Sequence, residues 1–215
     1  MSNHTTFRLR HIHEQLDKFI TAHTIIEETL ARRAEKLQDW VEEQRYVLSE
    51  DEWEDEWEEF EKSADLEIAE TVEELPYIMR SSLFVAIYGL FEHELVSLCK
   101  DYEKANVRIF ISDLRGDGIE RARLYLKKVI NIAFPDQGPE WQAIKNYNLL
   151  RNIAIHNQGN LNGNPKASHI EGASTSIRGL TITSSQRIEL NGEFNVRFID
   201  NLKLFVDNLF AVLQT

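Results

Sequence analysis

The chain has 215 residues, 42% hydrophobic and 28% charged, enough to bury one sizeable core and too few for two comfortable domains. Its formal net charge of −12 argues against a broadly basic nucleic-acid surface, yet residues 50–74 hold 14 acids against one lysine, a local −13 that leaves the rest of the chain at +1. One cysteine, Cys99, excludes an intramolecular disulfide and a cysteine metal cluster, and no run approaches the roughly 18 uninterrupted apolar residues of a membrane span, so a cytoplasmic protein without membrane association is expected.

Across residues 6–47 the apolar positions Leu9, Ile12, Leu16, Phe19, Ile20, Ile26, Leu30, Leu37, Trp40 and Val41 recur mostly at three- and four-residue steps, with no Pro or Gly. This predicts one long amphipathic helix. Ser49 then stands as an N-cap before Glu50, Asp51 and Glu52, and Trp53, Trp57 and Phe60 recur at i, i+4 and i+7, which predicts a short acidic helix with one aromatic stripe. Such a stripe can dock a basic partner, cover an anion site as a phosphate mimic, or pack back on the first helix; the last is the commonest use.

A second strong helical pattern covers residues 65–104, with Pro76 as a kink or restart and an apolar face of Ile78, Leu83, Ile87, Leu90, Phe91, Leu95 and Leu98. Loop chemistry at residues 112–118 precedes a third helix over 119–134, and Pro139 opens a fourth running through Trp141, Ile144, Tyr147, Leu150 and Ile153 towards His156. Residues 157–172 turn to Asn, Gly, Ser and Pro, a composition of long loop, while 179–183 and 187–190 alternate as a small hairpin does. A last helix spans 194–213 with Phe198, Leu202, Phe205, Leu209 and Val212 inward. The expected fold is mainly α: an up-and-down bundle of about five long helices with a small β-hairpin inserted before the last. Residues 1–64, the long helix plus the acidic Trp-rich segment, extend a core at 65–215, and the whole of 1–215 forms one domain.

Phosphate-cradling glycine loops, nucleophile elbows, HExxH and EF-hand loops are all missing. What remains is Leu149-Leu150-Arg151-Asn152-Ile153-Ala154-Ile155-His156-Asn157, at the end of the fourth helix. Arginine grips phosphate and stabilises charge developing on it, and histidine moves protons near neutral pH, which together suffice for metal-free RNA cleavage. The negative end of a helix dipole also favours an imidazolium there. Asn152 lies four residues before His156, on its face, placed to orient the ring or contact substrate, and Asn157 follows as a second polar contact. Arg8 and His13 repeat the Arg-x4-His spacing near the N-terminus, so spacing by itself does not mark a site. Glu92 and His93, in a strongly apolar helix, are candidates to support the motif from across the bundle. His11, His13 and Glu14 diverge on a helix and read as solvated surface, so neither a metal nor a cofactor is expected.

Arg151-Asn152 and His156 closing a helix, after a helix reading Ser82-Leu-Phe-Val-Ala-Ile-Tyr-Gly-Leu-Phe-Glu-His-Glu-Leu95, resemble the HEPN superfamily (higher eukaryotes and prokaryotes nucleotide-binding domain), over about residues 65–213. The resemblance implies a helical bundle that homodimerises so that two Arg-x4-6-His motifs form one composite, metal-independent ribonuclease site, with Arg151 and His156 as the catalytic pair and Asn152 as the polar residue that often follows the arginine. It further implies an RNA substrate such as tRNA or mRNA, products ending in 2′,3′-cyclic phosphate, and a toxin or antiphage defence role with an antitoxin or nucleotidyltransferase partner. The alternative it leaves open is a non-catalytic HEPN-like adaptor that binds RNA, a nucleotide or a protein.

Overall fold

A computed structural model of the chain describes residues 2–49, 54–104 and 108–213. It is 77% helical, a mainly-α bundle with a two-strand antiparallel hairpin before the last helix. The elements run α1 (Ser2–Ser49), α2 (Glu54–Ala69), α3 (Leu75–Glu103), α4 (Gly118–Leu124), α5 (Pro139–Asn157), α6 (Ala167–Ser174), β1 (Leu180–Ile182), β2 (Ile188–Leu190) and α7 (Phe194–Leu213).

The long first helix is present as expected, and at about 1.5 Å per residue it outreaches the bundle. Ile12 and Leu16 enter the core, where α1 packs on α3 and α7, and Leu30 is buried further along the helix. Its far half pairs antiparallel with α2: Arg45 forks onto Glu61 at 3.0 and 3.1 Å, Arg33 meets Glu67 at 3.3 Å, and Trp40 packs edge-on against Phe60 at 5.7 Å. Thus the acidic helix lies back on α1. Ser49 is the last residue of α1 rather than the cap of the next helix, and Trp53 and the acids after Ser49 lie outside the described residues.

Pro76 does not restart a helix. Helix α2 passes into α3 through a π turn, Glu70–Glu74, and Pro76 sits in the first turn of α3, where its missing N–H costs nothing. The expected division at 64/65 therefore falls inside α2, at the fully buried Ala64. The rod Trp57–Glu103 is by length and composition long and apolar enough to cross a membrane, unlike the expectation from uninterrupted runs; 44% of its most apolar window is buried in the bundle. Helix α3 is central, touching α1, α4, α5 and α7, so it buries more than one stripe. Tyr77, Phe84 and Tyr88 join the core while Ile78, expected inward, is exposed. Phe84 packs at 5.1 Å from both Phe194 and Phe198, and Trp141 sits 5.2 Å from Phe205, tying α3 and α5 to α7.

Two further expectations need correction. The third helix stops short of Phe134: α4 continues only through a π turn, Tyr125–Val129, before Asn131 takes a left-handed φ of 62°. The cause lies at Asp136, whose carboxylate accepts bonds from Arg123 at 2.8 Å and Lys127 at 2.7 Å and so folds the chain back along α4, while Phe134 enters the core 5.0 Å from Trp141. Secondly, residues 157–172 are not all loop, because α6 occupies Ala167–Ser174 and buries Ile170. The hairpin and α7 fall where the periodicity placed them, with Leu180 paired to Leu190 and Ile182 to Ile188.

Candidate functional site

Helix α5 begins at Pro139 and buries Trp141, Ile144, Tyr147, Leu150 and Ile153, which fixes its rotation and hence the direction of every other side chain on it. It ends at Asn157 because Gln158 takes a left-handed φ of 50°, and the N–H groups of Gln158 and Gly159 both turn onto the Ile153 carbonyl. His156 is thus in the last helical turn, exposed, and no hydrogen bond or ion pair to it occurs among the described residues. Asn157 is exposed too, with only a long 3.5 Å bond to the Asn160 carbonyl.

Arg151 is half-buried. Its guanidinium lies 5.7 Å from the centre of the Tyr88 ring on α3, and Nη1 donates to Asn152 Oδ1 at 3.0 Å. Its Nε is buried with no hydrogen-bond partner, and no carboxylate pairs with it among the described residues. Five residues on a regular helix are about 140° apart around the axis and about 7.5 Å along it. Accordingly Arg151 turns towards α3 while His156 faces solvent, and one chain does not bring them onto one point. Asn152 is engaged by Arg151 rather than by His156.

Of the two supporting candidates, only Glu92 is near. It lies one turn beyond Tyr88 on α3, and its carboxylate packs on Gly118, where a Cβ would stand 3.0 Å from Oε1. Burial pushes the Tyr88 phenol up; Glu92 pushes the same way and Arg151 opposes it, so a cation and a carboxylate flank one phenol. His93 is exposed, with no partner among the described residues.

The second Arg-x4-His pair is committed elsewhere. Arg8 reaches α3, donating to the Glu94 carboxylate at 3.0 Å, the Glu94 carbonyl at 3.1 Å and the Asp101 carboxylate, and His13 bonds Asp207 of α7 at 2.8 Å. Those two residues strap α1 to the bundle.

The segment after His156 is held firmly. Ile188 N–H donates to the Gly159 carbonyl at 2.9 Å and Leu161 N–H to the Gln186 carbonyl at 2.8 Å, so residues 159–161 run beside β2. Gly159 has a φ of 81°, and the Tyr77 ring is so close that a Cβ there would lie 2.9 Å from Cζ, nearer still to the phenol oxygen. Arg187 stacks over the Tyr77 ring at 4.4 Å while forking onto Glu74. Sequence reasoning found neither Tyr88 nor the Tyr77–Gly159 contact, since both join positions more than 60 residues apart; only the Gln158-Gly159 pair carried a local signal, as a helix stop.

Cys99 is buried and its thiol is pushed up to about 12 by desolvation and by Glu103, which leaves it without nucleophilic chemistry at neutral pH. No protein-family model, curated protein or solved structure matches the chain.

Proposed function

We propose that this chain is a metal-independent endoribonuclease of the HEPN type, with Arg151 and His156 from two copies forming one active site. The observation that carries this reading is the contrast between its two Arg-x4-His pairs. Arg8 and His13 are consumed by carboxylates, whereas among the described residues no acid pairs with the half-buried Arg151 guanidinium and no partner holds His156 at its helix end. A cation withheld from carboxylates is what an incoming phosphate needs.

The reaction is attack of a ribose 2′-hydroxyl on the adjacent phosphorus, expelling the 5′-oxygen of the next nucleotide and leaving a 2′,3′-cyclic phosphate and a 5′-hydroxyl. One His156 accepts the 2′-proton, the partner subunit's His156 donates to the leaving oxygen, and the two Arg151 guanidiniums hold the charged transition state. A two-fold seam beside the exposed end of α5 supplies the second motif that the 140° separation denies to a single chain; Ile155, 42% exposed next to His156, gives that end an apolar contact. Asn152 holds Arg151, Asn157 contacts substrate, and Glu92 supports the Arg151–Tyr88 contact. A cytoplasmic toxin or antiphage effector, silenced by an antitoxin or nucleotidyltransferase, is the setting that fits such an enzyme.

The test is cleavage of end-labelled single-stranded RNA and total tRNA in EDTA by wild type, Arg151→Ala and His156→Ala, with product ends identified and mass measured by light scattering. Cleavage by a dimer leaving cyclic phosphate ends, lost in both variants, is expected. A well-folded dimer that cleaves nothing would overturn the nuclease and favour a non-catalytic HEPN-like adaptor for RNA, nucleotide or protein.

A further inference from the structure

A groove with a cavity volume of about 610 Å³ runs between the first half of α5, the turn after α6 and α7, within the range of small-ligand sites. Its floor is apolar, formed by Ala143, Ile177 and the little-exposed Tyr147, whose ring packs among Phe84, Phe194 and Phe198, and the exposed Leu204 also lines it. Two arginines stand over that floor. Arg178 is exposed with no hydrogen bond or ion pair among the described residues, and Arg197 is held only by a 3.4 Å contact to Glu193, both partners nearly half exposed. Such a surface pair contributes little and yields readily to a better anion.

Three amides line the same groove with their capacity half spent. Gln142 donates to the Asp136 carbonyl at 2.9 Å and Asn201 to the Glu140 carbonyl at 3.1 Å, and among the described residues no donor reaches the side-chain oxygen of either. Asn146 gives its oxygen to His169 Nε2 at 3.0 Å, which leaves its two N–H donors. The groove thus offers an apolar floor, open donors and acceptors for a base edge, and guanidiniums for a phosphate. Glu140, in the first turn of α5, sets a limit: a carboxylate repels a bare phosphate and accepts hydrogen bonds from ribose hydroxyls. The backbone beside Arg178 is constrained, because Gly179 has a φ of 80° and packs directly on the backbone of Phe194.

We propose that this groove binds a ribonucleotide, with phosphate on Arg178 and Arg197, the base edge hydrogen-bonded to the amides, and the ribose towards Glu140. As one unit of an RNA strand the ligand rests on the ribonuclease reading, since Tyr147 lies on α5 nine residues, about 14 Å, before His156; as a free nucleotide it stands apart from it.

The experiment measures binding, not turnover. A fluorescein-labelled octauridylate is titrated by anisotropy into His156→Ala protein, with and without added Arg178→Gln or Arg197→Gln, and AMP and inorganic phosphate serve as competitors. Arg178→Gln should weaken binding at least ten-fold and Arg197→Gln at least three-fold, with unchanged circular dichroism. Displacement by AMP marks a free-nucleotide site, and arginine dependence without displacement marks a strand contact; inorganic phosphate should compete poorly in either case. Equal affinities for all three proteins, or no binding of octauridylate or AMP, would overturn the proposal. Groove binding that persists in a wild type unable to cleave RNA would sink the nuclease and leave the groove standing.

Discussion

The two Arg-x4-His pairs should separate cleanly in stability. In Arg8→Ala, the Glu94 carboxylate, 12% exposed, loses its cation, while Asp101 still has Lys104 at 2.9 Å. Breaking a buried ion pair from one side costs roughly 3–5 kcal/mol, and partial exposure of Asp101 lowers that to about 3 kcal/mol. For a domain of this length the loss corresponds to a melting temperature about 6–12 °C lower. Arg151→Ala removes a ring contact worth about 0.5–1 kcal/mol and a bond to its neighbour Asn152, but also removes a buried, unpartnered N–H whose desolvation costs about 1 kcal/mol or more. The net is close to zero, at most about 1 kcal/mol. Thermal and urea melts followed by circular dichroism at pH 7.5 measure both variants, and a double-mutant cycle of Arg8→Ala with Glu94→Gln isolates the pair. An Arg151→Ala protein destabilised as much as Arg8→Ala would refute the reasoning, because Arg151 would then be a strap like Arg8.

Asp136 is held well below the usual carboxylate range, at about 2, chiefly by its bonds from Lys127, then Gln137 and Arg123, against desolvation. A depressed carboxyl contributes stability above its unfolded value of 3.8 and loses it as pH falls towards 2. Asp136→Asn should therefore melt lower than wild type at pH 7, by about 1–2 kcal/mol after screening at Lys127, with the two curves converging near pH 2; a gap independent of pH would contradict this. Gly159→Ala should cost about 2–3 kcal/mol through backbone strain and overlap with Tyr77, and Tyr77→Phe, which removes the unpartnered phenol oxygen, should recover part of it in calorimetry. If Tyr77→Phe restores nothing, the overlap is not the cause. Cys99 should resist a thiol reagent at pH 8 in the native protein and react at once in denaturant; rapid native labelling would show that its burial is wrongly assigned.

Local periodicity determined much of this protein. Helix α5 buries the residues its 3.6-residue spacing marked, α7 buries all of them but the half-buried Val212, the hairpin forms where alternation placed it, and Arg151 and His156 stand at the end of α5 where the sequence ended that helix. These features depend on neighbours within a turn or two, so a short window contains their cause. Tertiary structure decided the rest. Which Arg-x4-His pair is free depends on Glu94, Asp101 and Asp207, between 86 and 194 residues from their partners. The early end of α4 depends on a clamp at Asp136, the burial of Tyr77 and Tyr88 on α3 being packed from several sides, and the order of the segment after His156 on a hairpin that comes later in the chain. Charge pairing and close packing act between surfaces that meet only when the chain has folded, and sequence spacing carries no record of those meetings.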